Sequence, residues 1–342
     1  MSNTALLRDL CGAVADLTVP PSPAERACTG LRLTLLLVVL LSGAWVYWRL
    51  PLGWAAIAAL LVAAVAYALL LIATHEMVHG TCLGLARWEQ PLACLLSWPM
   101  AWPYLTYGRL HRLHHRWNGC DGRDPERTTA LLEELQQAGV LRRLWQRQQL
   151  PLRLLLLGGV GLIVDTAGKG WRLRAVDRSL AGARWRDGAG VTLVHATMLL
   201  IALRHGELGR YMLFWLLLER VIGLFVQFRG LVEHHGLWPP GLSPPHASHL
   251  LTQLYSTRNV QAAAWLNALM GGLPHHSAHH AFPWIPSARL PLASRRIAAV
   301  LQRHGADVVP QVAGYGDGLG WLWREGHRCR IQDSPTCSSR VA

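Results

Sequence analysis

Two pairs of long apolar runs set the limits on what this chain can become. Residues 33–48 and 52–74 are nearly unbroken apolar sequence, with Arg49 and Pro51 marking a tight turn between them. Residues 189–203 and 211–228 form a second pair, joined by a short turn around His205 to Gly209. As a helix the run 52–74 is about 34 Å long, enough to cross a bilayer. Each pair therefore reads as a transmembrane hairpin. Composition agrees: 51% of the 342 residues are hydrophobic and 15% charged, with a mean hydropathy of +0.21, above a typical soluble domain.

Charge gives the expected orientation. The net charge is +13, and arginines crowd residues 75–188 and the region beyond Arg229. The excess of basic residues on cytoplasmic segments of membrane proteins predicts that both regions face the cytoplasm and both hairpin tips face outward. Nucleic acid is not an expected partner, because the arginines flank apolar spans instead of forming one compact patch. Trp45, Trp48, Trp54, Trp102 and Trp215 lie near span ends and fit an interfacial aromatic belt. Two shorter apolar stretches, 91–106 and 150–165, contain Pro or Gly and read as interfacial or re-entrant pieces, although either is long enough to be weighed as a span. Residues 1–30 read as a polar, proline-containing arm, loose or interfacial and not a secretory leader. Residues 31–324 read as one catalytic membrane unit, and residues 325–342 as a disordered tail. The seven cysteines form no CxxC pair and read as reduced structural thiols.

Histidine placement carries the chemistry. His75 and His79 form HEMVH at the end of the second run. His111, His114 and His115 form HRLHH, and His276, His279 and His280 form HSAHH, preceded by His275. His234 and His235 follow the fourth run. A lone HxxxH is a weak signal, but two HxxHH boxes in one chain are far beyond chance at this histidine frequency. On a helix, positions i, i+3 and i+4 share a face, so each HxxHH aims three imidazoles at one point and HxxxH aims two. Eight imidazoles exceed what one six-coordinate ion takes and suit two ions. Nitrogen-rich sites fit Fe, Cu, Zn or Ni, and spacing does not choose among them.

The boxes, their order and the two hairpins resemble the membrane fatty-acid desaturase and hydroxylase superfamily. Arg229 to His234 is similar to the RxxxEH segment of bacterial members. Thr257-Arg258-Asn259, Asn267, Gly271-Gly272-Leu273, the third box and Phe282-Pro283-Trp284-Ile285-Pro286 follow that family's C-terminal pattern, as does Asp124-Pro125 after the second box. The likeness covers roughly residues 35–300. Two departures stand out: Ala278 replaces the usual Glu before the final His pair, and Pro274-His275 replaces the usual Asn-Tyr. His276 occupies a position that is Gln in front-end desaturases.

The resemblance implies an all-α integral membrane fold, with about four transmembrane helices in two hairpins and a cytoplasmic helical cap holding a dimetal site. It implies two iron ions held by His75, His79, His111, His114, His115, His234, His276, His279 and His280, with His235 a rival to His234. It implies an O2-dependent oxidoreductase that removes hydrogen from an unactivated C–H bond: a fatty-acyl or acyl-lipid desaturase, or alternatively a lipid or carotenoid hydroxylase or ketolase. No haem, flavin or iron–sulfur motif is present, so a separate ferredoxin-like or other electron donor is implied, with a bacterial inner membrane as the setting. Two further classes compete. HEMVH alone is the HExxH signature of a zinc protease, with Glu76 as general base, but no later span carries the aspartate ligand that an intramembrane protease needs. A metal carrier would require ligands along a path through the membrane. Among other polar residues, His195 reads as bundle-facing, His205 as a turn residue, and His246 and His249 as solvated. Asp124 is a candidate to orient a box histidine. Glu219 and Arg220, mid-span and adjacent, are expected to need separate partners.

Overall fold

The computed structural model describes residues 3–128, 139–140, 158–237 and 248–325. Among the described residues the regular secondary structure is helical apart from a two-residue parallel pair, β1 (Asn259–Val260) with β2 (Gln311–Val312). Helices satisfy their own backbone polar groups, as a bilayer demands. Four of them are long and apolar enough to cross a membrane: α2 (Pro23–Arg49), α3 (Trp54–Val78), α7 (Ser179–Arg204) and α8 (Leu208–His234). The first of the shorter apolar stretches does not reach that length. It becomes α4 (Ala86–Ser97), twelve residues interrupted by Pro91, and one turn of 3₁₀ helix before α5 (Tyr104–Trp117). The described part of the second lies in α6 (Gly158–Arg172).

The chain forms two compact units. One comprises residues 21–111 and 153–227. In it Ser22 and Glu25 close a reciprocal capping box that starts α2. Small residues let α2 and α3 approach closely: a methyl group on Gly43 would lie 2.6 Å from the Ala59 carbonyl oxygen and 2.9 Å from Ala63 Cβ. The two hairpins are tied near their turns, where Tyr47 donates to the Arg210 carbonyl at 2.9 Å and the Arg210 guanidinium donates to the Tyr47 carbonyl. Trp45 and Trp54, at the tip of the first hairpin, are exposed.

Carboxylates from two spans cap shorter helices. Asp187 accepts from the backbone N–H of Leu105 and Thr106 (3.1 and 2.7 Å), from the Thr106 hydroxyl (2.8 Å) and from Trp98 Nε1 (3.0 Å). It thereby caps the helix that carries the second histidine box. Glu219 accepts from Gly159 and Val160 N–H at 2.9 and 3.0 Å, at the start of α6. It also pairs with Arg220 at 3.1 Å. Arg220 thus shares this carboxylate, whose own partners are the two N–H groups of α6. Gly223 is required here, because a Cβ would meet Gly159 N at 1.9 Å.

The other unit comprises residues 1–20, 112–152 and 228–342. The N-terminal residues are not a loose arm. Helix α1 (Asn3–Val14) and a following 3₁₀ turn bury Leu10, Val14 and Leu17 against Phe282, Ile285, Leu290, Ile297 and Leu301. Arg289 donates to the Leu17 and Val19 carbonyls, and Arg296 pairs with Asp16 at 2.5 Å. The unit also contains α9 (His249–Tyr255), α10 (Ala264–Leu269), α11 (His276–Ala281), α12 (Leu290–Arg303) and α13 (Tyr315–Glu325). The expected disordered tail lies outside the described residues from 326 onward, as does His246.

Candidate metal centre

The histidines gather in two clusters, one in each unit. In the first unit, His75 occupies the last turn of α3, His79 ends it, and His111 comes from α5. Their ring centroids are 4.4 Å (His75–His111), 5.2 Å (His79–His111) and 5.8 Å (His75–His79) apart. One ring nitrogen of each lies within 4.8 Å of the others, close enough for a shared ion. Tyr107 stacks on His111 at 5.4 Å and limits how that ring can turn. Glu76, between the two box residues, is taken by Arg32 of α2, whose guanidinium lies 3.0 and 3.3 Å from the two carboxylate oxygens.

In the second unit, His114, His234 and His280 converge, as do Glu233, His234 and His276, each group holding its ligand atoms within 4.8 Å. His234 Nε2 and His276 Nε2 face each other at 2.8 Å. His115 stacks on His280 at 4.2 Å and lies 4.9 Å from His279. All six box and span-end histidines here are buried. Helix α11 is only six residues long, and every one of them is buried.

The surrounding hydrogen bonds decide which nitrogen each ring presents. His114 Nδ1 lies 2.8 Å from Asp124 Oδ1; a carboxylate only accepts, so Nδ1 carries the proton and Nε2 keeps its lone pair. For His280 the argument runs through an amide. Gln253 Nε2 donates to the Asn118 carbonyl at 3.0 Å, which fixes the amide's orientation and turns Oε1 toward His280 Nδ1 at 3.0 Å. His280 Nδ1 must donate, and its Nε2 is buried with no hydrogen-bond partner among the described residues. Burial, reinforced by neighbouring imidazoles, holds His276 and His280 well below the ordinary histidine pKa. Neutral, buried imidazoles with an oriented lone pair are the donor set that a borderline transition metal takes. These residues fit the metal that the sequence pattern implies.

The placement of the remaining sequence candidates is equally plain. His234 lies in the cluster, whereas His235 turns its Nδ1 to the Thr128 hydroxyl at 3.2 Å and its ring edge to Trp321. His275 caps α11 and belongs to none of the three metal-competent groups among the described residues. His195 meets Tyr211 at 3.3 Å within the first unit, and His205 ends α7 in an exposed turn. His249 starts α9, with its ring 3.4 Å from the Gln253 amide. Asp124 orients His114, as the sequence allowed.

Sequence reasoning missed Gln253 and Asn118. Asn118 holds the network together by donating to Ser256 Oγ at 2.9 Å, and the following Gly119 adopts φ +74°, where a Cβ would press on Ser256. It also missed Asp187 and Arg32. Each is polar and lies far in sequence from a group it serves (His280, Glu76 or the start of α5), so no spacing rule marks it.

The arrangement can also be compared with known families. No curated protein matches this chain. The family model described as fatty acid desaturase matches residues 52–311, a stretch that takes in every histidine assigned above. Within that stretch lie the clusters, three of the four apolar helices (α3, α7 and α8) and the RxxxEH segment, and the chain belongs to the fatty acid desaturase family.

Proposed function

We propose that this protein is a membrane-bound, O2-dependent fatty-acyl or acyl-lipid desaturase. Its ligands for two iron ions are His75, His79, His111, His114, His115, His234, His276, His279 and His280. When bound, the irons supply the reduction of O2 and the removal of hydrogen from an unactivated C–H bond. The chain's own residues do the positioning. Asp124 and Gln253 hold His114 and His280 in the tautomer that presents Nε2, and Tyr107 restrains His111. The observation that carries the reading is the buried cluster of neutral imidazoles, with the His280 lone pair fixed by Gln253.

Electrons come from a separate acidic, ferredoxin-like or similar donor, and the active site faces the cytoplasm of a bacterial inner membrane. The zinc-protease alternative loses support at Glu76. A general base must reach a metal-bound water, and this carboxylate is 2% exposed and paired with Arg32. Lipid profiling tests the reading, comparing a host that expresses the native chain with one that expresses His279→Ala. A new unsaturated acyl species, absent from the variant, is expected. A hydroxylated product moves the assignment to a hydroxylase of the same family, an outcome that the departures at Ala278 and Pro274-His275 make worth scoring. Identical profiles with both proteins in the membrane and a reducing donor supplied overturn it.

A further inference from the structure

Helix α13 begins at residue 315, just beyond the family match that ends at 311, yet it reaches the metal-competent cluster. The Tyr315 hydroxyl donates to Glu233 Oε1 at 3.2 Å. The other oxygen of that carboxylate accepts from Arg229 Nε at 2.8 Å and lies 3.5 Å from His276 Nδ1. His276 Nε2, on the far side of the ring, faces His234 at 2.8 Å. Glu233 is 0% exposed and is thus held from two sides, by its own helix and by α13.

The docking of α13 is specific. Gly318 packs so closely on Val232 that a Cβ would lie 2.7 Å from its methyl group. Leu322 is buried. Trp321 is covered by the Arg258 guanidinium at 4.4 Å and meets the His235 ring. Arg258 in turn donates to the Val232 and His235 carbonyls, so the four residues from Val232 to His235, at the end of α8, are gripped from both sides. Burial and the adjacent carboxylate hold the Tyr315 phenol well above its ordinary pKa, which keeps it a donor.

We propose that Tyr315 is a positioning residue for the metal centre, fixing the Glu233 carboxylate so that it sets the ring angle of His276. The proposal rests on the reading of His276 and His234 as iron ligands. Without the hydroxyl, Glu233 keeps Arg229 but loses the contact that fixes its second oxygen. The carboxylate can then rotate, and the imidazole it faces is less constrained. Partners of this kind that orient a ligand typically change metal affinity by 10–100-fold.

The test uses the full-length protein in lipid nanodiscs, loaded with Fe(II). Iron content is measured first, then the rate of loss to bathophenanthroline disulfonate. Tyr315→Phe is expected to fold with its iron-free melting temperature lowered only by the loss of one hydrogen bond and to lose iron roughly tenfold faster. Glu233→Gln should lose iron at least as fast, and the double variant no faster than Glu233→Gln alone, because Tyr315 acts through Glu233. A native release rate in Tyr315→Phe, or effects that multiply in the double variant, overturns the proposal. His276→Ala separates the two levels. If it binds iron like the native chain, the metal assignment itself fails; if it loses iron while Tyr315→Phe does not, only the positioning role fails. Should Tyr315→Phe not accumulate, Tyr315→His, which retains a ring N–H donor, takes its place. Accumulation with native iron retention supports the role, and failure of both variants to accumulate rejects it in favour of a purely structural one.

Discussion

Glu76 and Glu233 look alike in the sequence and do different things in the structure. Each stands next to a box or span-end histidine, each is buried, and each is bonded to an arginine. The partner of Glu76 is Arg32, 44 residues earlier on the other helix of the hairpin, so that ion pair is a tie between α2 and α3. The partner of Glu233 is Arg229, one turn earlier on its own helix. That leaves the carboxylate available to Tyr315 and turned toward His276. An acid beside a metal-box histidine is therefore not one device. What it does is set by where its counter-charge comes from.

The largest expected effect breaks the first of these pairs. Arg32→Met strands a buried carboxylate between α2 and α3, and losing one partner of a buried pair costs about 3–5 kcal/mol. The variant should show a sharply lowered melting temperature in detergent, and Arg32→Met/Glu76→Gln should recover most of it. Arg229→Met should cost less stability, because Glu233 still accepts from Tyr315, but it should release iron faster than the native protein. If both variants are equally destabilised and both retain iron, Glu76 and Glu233 play the same structural role.

Next in size is the cap on α5. Asp187→Ala removes an acceptor for four donors, two of them backbone N–H groups at the start of the helix that carries His111. Buried donors left without an acceptor cost about 1–3 kcal/mol. A melting temperature within error of the native value would show that the α5 N-terminus finds other acceptors. Asp187→Asn, which still accepts but lacks the charge, should fall between the two.

Gln253→Leu sharpens the tautomer argument. It removes the acceptor for His280 Nδ1 without touching any proposed ligand, so iron affinity should fall roughly tenfold while the acyl product remains the same. A Gln253→Glu variant, which still accepts at that position, should retain iron better than the leucine. Equal loss in both would mean that packing around Asn118, not the orientation of His280, is what Gln253 provides.

What was legible in the sequence follows the range of the interactions. The four spans are local runs of apolar residues, and the boxes are local spacings, so both could be read directly. Asp124 lies ten residues from His114 and could be named as a candidate. Gln253, 27 residues before His280, and Asp187, 81 residues beyond Thr106, could not, because a capping or tautomer-setting residue leaves no periodic mark on the segment it serves. The N-terminal arm was misjudged for another reason. Its polar average conceals a stripe at Leu10, Val14 and Leu17, which packs against the unit containing the third box.

The smallest expected effect decides between neighbouring histidines, and it extends the same lesson from acids to imidazoles. His234 and His235 are indistinguishable by type and adjacent in sequence. His235, itself buried, uses Nδ1 on the Thr128 hydroxyl and packs against Trp321, contacts that belong to the packing of α13 and not to a metal. His234 lies with His114, His276 and His280. His235→Gln should therefore lower stability by only about 1 kcal/mol, the worth of one ordinary hydrogen bond, and leave iron content unchanged. His234→Gln should leave the melting temperature of the iron-free protein little altered and reduce bound iron. The reverse pattern, with iron lost from the His235 variant alone, would mean that the end of α8 turns by one residue when metal binds. In that case the contact between Tyr315 and Glu233 would have to break as well, because the same turn carries Glu233.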